Sequence, residues 1–112
     1  MKRGNVENNF IDYRSFVGVN PEKFYKATLA QSERLMLGLN CLEPGQEQKV
    51  HDHSNQDKFY FVLEGEGLFT VGDEEKIASA GMLVWAPATI PHGVKNQNSQ
   101  RLIILMGMAP AP

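Results

Sequence analysis

The chain has 112 residues, 42% of them hydrophobic, and its 11 Lys and Arg against 13 Asp and Glu leave a formal charge of −2. That length allows one domain with one core, and the near-neutral balance argues against a nucleic-acid footprint, which needs a concentrated basic face. No apolar run approaches the ~20 residues of a membrane span, and the opening MKRGNVENNF has two basic residues with no apolar stretch behind them, so it is not a secretory signal.

Residues 1–9 are polar and read as a flexible N-terminal segment; residues 10–112 read as a single domain. From Phe10 onward the pattern is one of short strands cut by turn residues, with no sustained helical period. A helical turn near Pro21–Phe24 is compatible with it. Lys23–Ala30 and Arg34–Leu42 are the first two strands, and Leu35, Leu37, Leu39 and Cys41 share one face of the second. Glu43–Gln46 (EPGQ) is a turn, in which proline fixes one backbone angle and glycine supplies the unusual one. Gln48–His53, Phe59–Leu63 and Leu68–Val71 follow, the last after Gly65 and Gly67. Gly72–Glu75 (GDEE) turns the chain into Lys76–Ser79; Gly81 opens Met82–Ala86, which Pro87 ends. His92–Asn96 and Leu102–Met108 complete the set, and the terminal APAP cannot join a ladder. Nine short, evenly spaced strands make an all-β sandwich or barrel. Cys41 is the only cysteine, so no intrachain disulfide forms; it is expected to pack in a strand, in a chain suited to the reducing cytoplasm.

The chemistry is concentrated in the three histidines. His51 and His53 stand two apart, so on a strand both rings project to one side and can share an ion. On its own this pair is as compatible with a polar strand end as with a metal site. His92 lies at the end of Gly81–His92, where a glycine turn, an apolar strand and two prolines deliver it into another short strand.

At these residues the chain resembles the cupin superfamily, whose first motif is G-x5-H-x-H-x3,4-E-x6-G and whose second is G-x5-P-x-G-x2-H-x3-N. Gly45, His51, His53 and Gly65 match the first; Gly81, Pro87, His92 and Asn96 match the second with every interval kept. The resemblance implies a double-stranded β-helix, or jelly-roll barrel, with all three histidines at the metal positions. Two positions depart from it. Thr89 stands where the second motif prefers glycine, a change that an altered loop can absorb. The glutamate of the first motif is missing: the shorter spacing from His53 puts Asp57 in its place, and counting back from Gly65 puts Lys58 there. Asp57 would partly neutralise a cation, whereas a lysine ammonium would repel it unless it loses its proton or turns away; Lys58 shares its face with Tyr60, Val62 and Glu64, a mixed set that could line a wetter cavity or pack outside. Asp57 shares a strand face with Phe59, Phe61 and Leu63, an apolar set suited to a barrel interior, so the expected ligands are His51, His53, Asp57 and His92. Gln56 is a further oxygen donor within reach, and the bare three-histidine set is the alternative.

The resemblance further implies a divalent transition metal (Fe, Mn, Ni, Zn or Cu) and a small-molecule ligand inside the barrel mouth, with Phe59, Phe61, Trp85, Tyr25 and Met106 as candidate lining. The reaction it suggests first is of dioxygenase type. The alternatives are an isomerase or lyase of a small sugar or keto acid, or a cupin that binds its ligand without catalysis. Asp52, Glu64 and Glu66 read equally as solvated strand-end charges or as catalytic groups, and Asn96 as a residue that bonds local backbone. Cupins of this size usually pair, so a homodimer is expected, with Leu102–Met108 as the candidate contact strand; neither nucleic acid nor membrane is an expected partner.

Overall fold

The computed structural model describes residues 9–51 and 55–112. Among them the chain forms a short 3-10 turn, Tyr13–Phe16, and the strands β1 (Tyr25–Gln31), β2 (Met36–Leu42), β3 (Glu47–His51), β4 (Asp57–Glu64), β5 (Glu66–Val71), β6 (Glu74–Ser79), β7 (Leu83–Ala86), β8 (His92–Lys95) and β9 (Leu102–Ala109). The helical turn precedes the expected position because Asp12 caps it: its carboxylate accepts from the Arg14 amide at 3.0 Å.

The strands pair antiparallel in two sheets, ordered β1-β2-β9-β4-β7 and β3-β8-β5-β6. Between the sheets lies the main core, which includes Leu42, Tyr60, Val62, Phe69, Leu102 and Ile104. A second cluster sits on the outer face of the larger sheet, where Leu39, Cys41 and Ile103 are covered by Tyr13, Phe16, Val17, Tyr25 and Leu63. The larger sheet is therefore apolar on both faces, and its central strands read as near-continuous hydrophobic runs. Leu102, Ile103 and Ile104 are all fully buried, and burying such a side chain contributes roughly 1.5–3 kcal/mol. Cys41 packs as expected, and burial pushes its thiol pKa up.

The sheet order corrects the expected contact strand. β9 lies between β2 and β4 in the middle of its sheet, so it offers no free edge for a second copy. Exposed large apolar side chains stand instead on β7, at Leu83 and Trp85. Among the described residues no helix is long and apolar enough to cross a membrane.

Two turn positions bear on the site. Gly65 has φ +80°, and a Cβ there would run into the Arg101 carbonyl, so only glycine lets β4 pass into β5 at this point. Thr89 has φ +70°. The loop before His92 thus holds a left-handed conformation with threonine in the motif's glycine position.

Candidate functional site

β3 and β8 are neighbours in the smaller sheet, and their register sets His51 directly opposite His92. Their ring centroids are 4.5 Å apart, with the planes at 64°. Each ring is held by its own strand: Nδ1 of His51 lies 3.0 Å from the Lys49 carbonyl and Nδ1 of His92 lies 3.0 Å from the Ile90 carbonyl. A carbonyl oxygen can only accept, so both Nδ1 atoms carry the proton and donate. With Nδ1 donating, the neutral form of each ring has its lone pair on Nε2, the tautomer that a metal-binding imidazole needs. His92 is 4% exposed and its Nε2 is buried. His53, the third candidate, lies outside the described residues. Among the described residues no three His, Cys, Asp or Glu gather at one point.

Both histidines open onto a cavity of about 530 Å³ between the two sheets. Its polar lining includes Gln48, Gln56, Lys26 and Lys58, and Met36, Met106 and Met108 form much of its apolar wall. The Tyr60 hydroxyl donates to Gln48 Oε1 at 2.6 Å, fixing that amide from the core side. Burial holds the phenol protonated well above its ordinary range. Gln56 Nε2 donates to the Pro110 carbonyl at 3.0 Å, which ties the start of β4 to the end of the chain.

The expected orientation of β4 is reversed. Lys58, Tyr60 and Val62 are buried, whereas Asp57 is exposed. The Asp57 carboxylate accepts from the Ala88 amide at 2.9 Å, bracing the loop after β7, and it does not line the cavity. Lys58 does line it, so the position counted back from Gly65 is the one that faces the site. The aromatic residues that argued for Asp57 belong to the other face: Phe59 pairs with Trp85 and Phe61 with Leu83, and a Cβ on Gly107 would strike the Phe59 ring. Of the five candidate lining residues, Met106 lines the cavity; Tyr25 joins the outer cluster.

Lys58 is 6% exposed, and its Nζ lies 4.9 Å from the centroid of the Tyr60 ring. Desolvation, with a smaller contribution from the positive charge of Lys26, pulls its pKa from 10.5 to about 8. Sequence reasoning held Lys58 as the second choice, able to line a wetter cavity, and missed Lys26, which stands on β1 at the same cavity.

The second motif is legible in the fold as well. Asn96 is fully buried; its Nδ2 donates to the Leu42 and Gln100 carbonyls, each at 2.9 Å, and its Oδ1 accepts from the Asn98 amide at 3.0 Å. It bonds backbone, as expected, and joins the end of β8 to the end of β2.

Comparison with known proteins agrees with the fold. The crystal structure of TT1209 from Thermus thermophilus is 43% identical, superposes with a TM-score of 0.89, and the match covers 94% of this chain and 100% of that one. An RmlC-like cupin from Desulfovibrio desulfuricans is 29% identical, with a TM-score of 0.75 over 95% of this chain and 97% of its own. MJ1618 of Methanocaldococcus jannaschii is 31% identical over 61 residues, 54% of this chain, and the match spans 49% of its length. The cupin domain model matches residues 38–108, which take in both histidine-bearing strands and the lysine between them; the chain belongs to the cupin family.

Proposed function

We propose that this chain is a small metal-dependent cupin that acts on a small molecule in the cavity between its sheets, with dioxygenase-type chemistry as its reaction. The observation that carries the reading is the His51–His92 pair: two imidazoles face each other across one ladder, each with Nδ1 committed to a carbonyl. That donor set fits a divalent transition metal, and His53, two positions along from His51, completes it by sequence. The chemistry such an ion supplies is Lewis acidity toward a substrate oxygen and, for iron, activation of dioxygen. The protein's own part is to fix the ring orientations through the Lys49 and Ile90 carbonyls, to hold Gln48 through Tyr60, and to shield the reacting groups within the cavity.

A second reading, a metal-dependent isomerase or lyase, is favoured by Lys58. A buried amine whose pKa falls to about 8 can take and return a proton next to a carbonyl near neutral pH. A binder without catalysis is the outcome if neither activity is found.

Metal analysis of the purified protein tests the reading. The wild type should retain a divalent ion that the His51→Ala, His92→Ala double variant loses, and the iron-loaded protein should consume oxygen with one of a panel of small diketones, thiols and aromatic compounds. Turnover without oxygen on a redox-inert ion would select the second reading. Equal metal content in the two proteins would overturn both.

A further inference from the structure

The cavity walls carry two lysines and, among the described residues, no aspartate or glutamate. Lys58 is the more demanding of the two. Only 6% of it is exposed, yet none of the ion pairs among the described residues involves it, and its nearby charge is the like charge of Lys26. The Tyr60 ring face, 4.9 Å away, offsets a small part of the lost hydration. Taking an ammonium out of water without a counter-charge is costly, and a methionine would fill the same space without that cost. Lys26 sits on an exposed position of β1 at the rim, so the cavity is positive at its mouth as well as at depth. No described side chain of the lining supplies a counter-charge, and an anionic occupant would supply one. Met36, Met106 and Met108 give the cavity an apolar wall, Thr28, Asn40, Gln48 and Gln56 add neutral polar groups, and a volume of about 530 Å³ is that of a small-molecule site.

We propose that the cavity takes an organic anion, with Lys58 and Lys26 on its oxyanion head and the methionine wall against its apolar body. This rests on the reading that the cavity is the ligand site; it requires neither the metal nor a particular reaction. Carboxylate and phosphate share the head-group chemistry, and the experiment separates them.

The test is ligand-induced thermal stabilisation of chelator-treated full-length protein at neutral pH. Hexanoate, phenylacetate and hexyl phosphate are compared with hexanamide and phenylacetamide at millimolar concentration. At least one anion should stabilise the wild type more than its neutral counterpart does. Lys58→Met should weaken that anion's binding by about 10- to 100-fold, the range for one charge-assisted hydrogen bond. Lys26→Met, a change at an exposed position that leaves the core intact, should weaken it by a smaller factor. Whether hexanoate or hexyl phosphate gives the larger shift identifies the head group. Anions and amides acting alike, or a preference that persists in Lys58→Met, would overturn the inference. Failure of metal retention would sink the metal centre alone, because these titrations are made without metal.

Discussion

Lys58→Met tests the energetic argument directly, because it predicts that removing a charged residue from the cavity makes the fold more stable. The drop in the Lys58 pKa from 10.5 to about 8 corresponds to about 3 kcal/mol against the charged form, at ~1.4 kcal/mol for each tenfold change. With 6% of the residue exposed, little solvent screening reduces that figure. The sign follows from proton linkage. Below pH 8 the lysine is charged in both folded and unfolded chains, so the full penalty falls on the folded state; between about 8 and 10.5 the unfolded chain holds more protons and stability climbs with pH; above 10.5 the penalty is gone. Methionine has similar length, no charge and no proton to exchange. Urea unfolding at a series of pH values should therefore find the variant about 2–3 kcal/mol more stable than the wild type at pH 7. The gap should narrow through pH 8–10. A variant no more stable at pH 7, or a gap that ignores pH, would refute the claim that this ammonium is buried without compensation.

Three further outcomes follow from the same geometry. Thr89→Gly should raise stability by about 1 kcal/mol, because the β-branched residue is held at φ +70° where glycine is at ease; thermal denaturation reads it. Asp57→Ala should leave the metal content of the purified protein unchanged, since its carboxylate serves the Ala88 amide and not the cavity. Lys58→Glu should raise metal retention and abolish the anion-dependent thermal shift together, because it replaces the cavity's buried cation with an anionic donor.

The strand order along the chain, the turn glycines and the family were legible in the sequence, because turn chemistry and the two motifs are local and keep their spacing. The direction of β4 was not. Parity arguments assume that one face of a strand is wet, and here the outer face is covered by Tyr13, Phe16 and Val17 near Leu63 and by Trp85 beside Phe59. The Asp57–Phe59–Phe61 set therefore looked like an interior while it faced outward. The packing of residues far apart in sequence decides this, and no window around β4 contains it. Lys26 was missed for the same reason: nothing near it in sequence reveals that β1 runs along the rim of the histidine cavity.

Placing a lysine where the family motif has a glutamate changes what the centre asks of its ligand. A divalent ion on neutral imidazoles and one carboxylate carries a net charge of about one, which a neutral or singly charged substrate can satisfy. On imidazoles alone it keeps both charges, and Lys58 adds a third in the same low-dielectric cavity, where like charges repel far more strongly than in water. Metal affinity should fall as that charge accumulates, and the deficit is recovered when an anion enters. The proposed metal and anion should then bind with positive coupling, each lowering the electrostatic cost of the other, and by linkage the coupling is the same whichever is added first. The methionine lining supports this, since an apolar wall offers little competing hydration and leaves the charge pairing at nearly full strength. The lysine is thus a cost to the empty fold and to the proposed metal bound alone, and a gain once an anion is bound, which ties its presence to an anionic ligand rather than to stability.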